Sequence, residues 1–155
     1  ILKAPDPALG FVEESLYPER YCVAARRDHP LARSGCVTTR ELRTYPWILP
    51  PKGSPRRHAY EHLFSDGAPP PANIETYSLS TIRFALCDSD MLTVLSWTEM
   101  QTERRFGLLA PLLDVAWTEP VVGITRPRDW KPNAAQEEFL ASLSRHAATI
   151  GAQAG

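Results

Sequence analysis

Three times along this chain a short apolar run gives way, within a few residues, to hydroxyls or a glycine and then to a helix-like segment. Trp47-Ile48-Leu49 leads into Lys52-Gly53-Ser54, Asn73–Tyr77 into Ser78-Leu79-Ser80, and Met91–Leu95 into Ser96-Trp97-Thr98. Short apolar runs bounded by turn residues read as buried strands. A Ser or Thr just before a helix satisfies amides that lack an intrahelical partner. Strand alternating with helix predicts an α/β fold with a mainly parallel sheet flanked by helices, because parallel neighbours need a long crossover between them.

Fifteen prolines and eight glycines keep the other elements short. Tyr21–Ala25 is a further predicted strand, followed by a turn at Asp28–Ala32. Thr38 or Thr39 caps a short helix over Arg40–Thr44. Ser54 caps a helix with Pro55 at its first position, running to Phe64; Gly67 and Pro69-Pro70-Pro71 end it. Ser78-Leu79-Ser80 opens a helix to Cys87, Thr98 caps one reaching Arg105, and Gly107–Leu113 reads as an apolar connection. Val115–Thr125 reads as a long strand broken at Glu119-Pro120. Asn133 caps a closing helix to Ile150, with Phe139, Leu140, Leu143 and Ala147 on one face.

Charge narrows the function. The 17 Lys and Arg stand against 18 Asp and Glu, a net charge of −1, whereas a free-standing nucleic-acid binder carries a basic excess. No apolar run approaches the roughly 18 residues of a membrane helix. Cys22, Cys36 and Cys87 form no CxxC pair and are odd in number, so they read as free thiols, with the cytoplasm as the expected compartment. Ile1 in first place, with no signal-like segment after it, reads as an excised piece of a longer protein.

Catalytic signatures are absent: no GxSxG, GxGxxG, Walker loop or HExxH occurs. His58 and His62, four apart on one helix face with Asp66 beyond them, suit a solvated or subunit-contact face better than a metal, which needs three or four supported ligands. Cys87 reads as an inert thiol, and Asp88 and Asp90 as turn residues around Ser89. The three strand-to-helix junctions carry more. In parallel α/β sheets they gather at the carboxyl edge of the strands, where free amides and hydroxyls suit an anionic ligand group. Lys52 adds a cation and Trp97 an aromatic wall. With no general base or nucleophile beside them, binding outranks catalysis, and neither a metal nor a cofactor is expected.

These residues, in this order, resemble the effector-binding domain of LysR-type transcriptional regulators. The likeness runs through Glu14–Tyr17 and Ala25–Ala32, then Tyr45–Pro51 with Gly53-Ser54, then Glu75–Ser78. It continues through Ser89–Leu95, Gly107–Leu112, Val122–Arg126, Asn133–Ala135 and Phe139-Leu140. The resemblance implies a periplasmic-binding-protein-like lobe. Residues 1–15 would be a crossover from an incomplete first lobe, 16–119 the second lobe, and 120–155 the return strand and closing helix of the first. It implies a small-molecule effector held in an interlobe cleft by Lys52, Gly53, Ser54, Ser78, Leu79, Ser96, Trp97 and, after the return strand, Arg126. Ser96 stands where many members carry proline. The resemblance also implies a homodimer or higher oligomer built through His58, His62, Leu63, Ile74 and Thr76, and contact with DNA only through an amino-terminal domain outside this chain. A fragment of a periplasmic solute-binding protein and a small α/β transferase stay open as alternatives. An upstream helix-turn-helix or signal peptide separates the first two.

Overall fold

The computed structural model describes residues 10–116 and 121–153, with side chains described through 150. In chain order the strands are β1 (Phe11–Pro18), β2 (Tyr21–Arg26), β3 (Trp47–Leu49), β4 (Ala72–Glu75), β5 (Thr93–Ser96), β6 (Leu109–Val115) and β7 (Val121–Pro127). The helices are α1 (Thr39–Leu42), α2 (Pro55–Leu63), α3 (Leu79–Cys87), α4 (Trp97–Arg105) and α5 (Ala134–Gln153), with a 3-10 turn at Pro30–Arg33. They divide into two compact units, Arg20–Thr118 and Ile1–Glu19 with Glu119–Gly155.

In the larger unit β3 and β4 pair in parallel. A parallel bridge from Trp47 to Leu92 ties β3 to the chain entering β5. The Ile48 amide donates to Leu92 O at 2.9 Å, and the Thr93 hydroxyl to Ile48 O at 2.7 Å. β2 lies between β5 and β6 and is antiparallel to both. β3, β4, β5 and β6 therefore run one way, as the α/β pattern predicts, and β2 alone is reversed. Tyr21–Ala25 is buried at every position, as a central strand covered on both faces must be. An all-apolar run carries no information about direction, so the reversal is invisible in the sequence.

Each face of this sheet carries its own core. On one side Trp47 meets Tyr60 and Phe64 edge-on, with centroids 4.8 and 5.7 Å away, and donates its indole N–H to Leu42 O at 3.1 Å. On the other, Ile82 and Leu86 of α3 and Met100 of α4 pack over Cys22, Ala24 and Ile48. Burial pushes the Cys22 thiol up to about 12. Cys36 and Cys87 are exposed.

Capping explains where the helices begin. Thr38 and Glu41 form a reciprocal capping box at α1, and the hydrogen bonds from Thr38 hold the Glu41 carboxyl below its ordinary range. Ser54 and Ser78 cap α2 and α3, as the sequence predicts. At α4 the cap is Ser96, boxed with Glu99, and not Thr98: the glutamate three residues on completes the box only from position 96. Asn133 and Gln136 exchange two hydrogen bonds, of 2.9 and 3.0 Å, at the start of α5. The predicted apolar connection Gly107–Leu113 is instead mostly strand, because Leu109 onward pairs with β2. The predicted strand Val115–Thr125 is likewise two strands, β6 ending at Val115 and β7 starting at Val121. The expected break at Glu119-Pro120 lies outside the described residues.

In the smaller unit β1 and β7 form an antiparallel ribbon with a bulge between Ser15 and Tyr17. α5 packs on β1; along it Ala147 is buried, Leu140 and Leu143 are half-buried, and Phe139 is exposed.

His29 has no exposed surface. Its Nδ1 accepts the Leu31 amide at 3.1 Å, which leaves Nε2 as the protonated nitrogen facing Asp90 O at 3.3 Å. Burial holds its pKa below the ordinary 6.5. The unfolded chain therefore takes up this proton at a higher pH than the native one. The stability tied to a neutral His29 is complete above 6.5 and is lost as the pH falls from there toward the depressed native value. The expected result is a urea midpoint that drops between about pH 7.5 and about pH 5.5 more steeply in the wild type than in His29→Gln. Equal slopes would show that His29 does not contribute.

Candidate functional site

Parallel β3, β4 and β5 deliver the amino ends of α2, α3 and α4 to one edge of the sheet. The Thr76 amide donates to Leu49 O at 2.9 Å, fastening the first junction to the second. At the first, Lys52 and Gly53 are exposed and Gly53 has φ +82°, a backbone that favours glycine. Ser54 is buried and its Oγ accepts the Arg57 amide at 3.2 Å, leaving the hydroxyl proton to give. At the second, the Ser78 Oγ accepts the Thr81 amide at 3.2 Å and the Thr81 hydroxyl at 3.0 Å, with Leu79 exposed beside it. Neither first turn holds an acidic residue, and the amides of Arg56, Leu79 and Ser80 have no partner among the described residues. Both ends therefore present partial positive charge.

The third junction differs. The Ser96 amide donates to the Glu99 carboxylate at 3.0 Å, the Ser96 Oγ accepts the Glu99 amide at 3.2 Å, and the Trp97 amide donates to Arg20 O at 2.8 Å. The Trp97 indole N–H is given to Asp114 at 2.8 Å, beside the Arg20–Asp114 pair. A carboxylate already fills the anion-attracting position of α4. The structure thus brings Ser54 and Ser78 together in character and sets Ser96 and Trp97 apart from them.

Arg56 is the residue that sequence reasoning missed. From the second position of α2 its guanidinium reaches Glu99 of α4 at 3.6 Å. Its side chain is 15% exposed, and its Nη1 is buried without a hydrogen bond. The available signal was Arg56-Arg57 directly after the Gly53-Ser54-Pro55 junction. Arg57 takes the structural half of that pair, bonding Glu75 of β4 at 2.9 Å and Glu61 at 3.4 Å.

Arg126 belongs to the smaller unit, on β7, with Glu14 at 3.9 Å and its Nε buried without a hydrogen bond. Of the expected interface residues, His58 and His62 are exposed, Leu63 and Thr76 half-buried, and Ile74 is 40% exposed on β4. β4 ends its sheet, so one side of its backbone has no ladder among the described residues. Asp66, which continues the histidine row, is paired with Arg43 at 2.6 Å. Among the described residues no helix is long and apolar enough to cross a membrane.

The family described as the LysR substrate binding domain matches residues 1–148. The HTH-type transcriptional regulator GalR of Pseudomonas putida is 34% identical over 127 residues, covering 79% of this chain and 32% of its own length. The chain thus spans about a third of that curated relative. Among solved structures, the Synechocystis CcmR regulatory domain in complex with 2-PG superposes with a TM-score of 0.73 at 21% identity, covering 94% of this chain and 71% of its own. The effector-binding domain of QuiR in complex with shikimate does so with a TM-score of 0.71 at 11% identity, covering 94% and 69%.

Proposed function

Because this chain belongs to the LysR substrate binding domain family, whose fold is periplasmic-binding-protein-like, we propose that it senses a small anionic effector for a bacterial transcription regulator and joins its subunits. In this reading residues 16–119 are the second lobe of the effector domain, residues 1–15 the crossover out of the first, and residues 120–155 the return into it. DNA contact belongs to an amino-terminal part outside this chain, the compartment is the cytoplasm, and the chain turns over no substrate.

One observation carries the anionic effector. The amino ends of α2 and α3 offer open amides, two serine hydroxyls and the cation Lys52, with no acidic residue in either first turn and Arg56 paired to Glu99. Such a set stabilises a carboxylate or phosphate and repels nothing but a cation. The bound partners of the two superposed domains, 2-PG and shikimate, support a small-molecule ligand. Effector binding then biases the regulator by its differential affinity for two arrangements.

The test is titration calorimetry on the full regulator with a panel of organic acids that includes shikimate. Ser54→Ala and Ser78→Ala are each expected to weaken the acid that binds by roughly 10- to 100-fold, the range for hydrogen bonds to a charged group. Ser96→Ala, at a helix start whose anion-attracting position the Glu99 carboxylate already fills, is expected to leave affinity unchanged. Equal affinity in wild type and both Ser54 and Ser78 variants would move the site elsewhere.

A further inference from the structure

At the carboxyl end of α4, away from the serine junctions, a hollow of about 620 Å³ is lined by Arg27, Arg104, Arg105, Phe106 and Gly107. Its volume lies within the range of small-molecule sites. Arg27 comes from the turn after β2, and Arg104 and Arg105 from the last turn of the helix. None of the three has an acidic partner among the described residues, whereas Arg20, Arg26, Arg43, Arg56, Arg57 and Arg83 each lie within 4 Å of a carboxylate.

The ordinary task of arginines at a helix end is to meet its last carbonyls. Here backbone amides already do so: Leu108 N–H donates to Glu103 O at 3.2 Å, Gly107 N–H to Arg104 O at 2.9 Å, and Phe106 N–H to Thr102 O at 3.3 Å. Gly107 sits at φ +68°, and a Cβ there would stand 3.2 Å from Arg27 Nη1. The glycine therefore both ends the helix and lets the Arg27 guanidinium lie close over the backbone. Phe106 is 70% exposed at the same hollow, a flat apolar face with nothing packed on most of it.

We propose that this hollow binds a phosphorylated small molecule carrying a planar ring, a nucleoside di- or triphosphate in chemical class. Guanidinium forks match phosphate oxygens two at a time, and three of them neutralise a multiply charged chain that one or two would not. Phe106 gives the ring a surface to stack on. The cluster is a single hollow on a chain of net charge −1, rather than a basic stripe that would track a duplex backbone. The site does not depend on the effector reading, because it shares no residue with the serine junctions.

Titration calorimetry with ATP and with inorganic triphosphate tests it. Both are expected to bind with one site per chain, ATP more tightly. The double variant Arg104→Gln, Arg105→Gln is expected to weaken both by about tenfold or more, and Phe106→Ala to weaken ATP alone. Arg33→Gln with Arg40→Gln, which removes two other arginines without acidic partners, is expected to change neither. The unfolding midpoint of each variant establishes that it is folded, and Arg27→Gln serves as a second route if the double variant is not. Absence of heat with both probes overturns the proposal. So does equal loss in the Arg33, Arg40 control, which would mean diffuse charge. Unchanged ATP binding in Phe106→Ala overturns the ring. Tighter binding of a duplex oligonucleotide through the same arginines would assign the hollow to nucleic acid instead.

Discussion

Replacement of Trp47 by alanine is expected to remove about 3–5 kcal/mol of stability, the range for deleting a large buried aromatic ring. Trp47 has no exposed surface, stacks edge-on with Tyr60 and Phe64, and donates its indole proton to Leu42 O. Alanine empties the centre of one core and leaves that carbonyl only the longer bond from the Tyr45 amide, at 3.5 Å. Against a typical domain stability of about 5–15 kcal/mol, the larger unit is expected to be partly unfolded at physiological temperature. Urea titration followed by far-ultraviolet circular dichroism reads the loss directly. Trp47→Phe keeps most of the ring volume and gives up the hydrogen bond, so it is expected to cost distinctly less. A Trp47→Ala midpoint within error of the wild type would contradict this packing.

If the proposed subunit contact runs along β4, Ile74→Lys is expected to shift the protein from dimer to monomer in sedimentation velocity, weakening association by about 100-fold or more. β4 offers an open ladder edge, and Ile74 is a large apolar side chain 40% exposed upon it. Arg57 of α2 holds Glu75 of that strand at 2.9 Å, so helix and strand present one surface. A lysine on an edge strand opposes pairing with a second chain at little cost to the fold, and a residue at the centre of an interface carries much of its energy. His58→Ala on α2 is expected to weaken the dimer less. An unchanged sedimentation coefficient at dilute concentration would remove this surface from the proposed interface.

The legible part of the fold was whatever local chemistry determines. Ser54 with Pro55 and the hydroxyl of Ser78 mark helix starts by the amides they satisfy, and the structure begins α2 and α3 there. Thr98 misled because two hydroxyls flank Trp97, and only the position of Glu99 relative to Ser96 decides between them. The reversed β2 and the strand β6 were hidden for another reason: direction and pairing are settled by partners far along the chain. Arg26 facing Leu109 is such a pair. The candidate site shows the same division. Caps and glycine at the junctions were readable, but Arg56 gains its meaning from Glu99, more than forty residues away, and Trp97 loses its freedom to Asp114.

Cys22 turns the central strand into a clock. Thiolates attack alkylating reagents, and a thiol that is wholly covered and pushed up to about 12 by burial is unreactive in the closed sheet. Cys36 and Cys87 lie at the surface and are expected to react first. A mass spectrum taken over time should therefore show two labels almost at once and a third after a long lag. When reclosing outruns labelling, the rate of that third event is the intrinsic thiol rate multiplied by the fraction of molecules open at β2. The lag reports how often the middle of the sheet parts in undenatured protein. A ligand that prefers the closed form lengthens it in proportion to its affinity and concentration, so the native cysteines alone supply a binding assay that needs neither dye nor DNA.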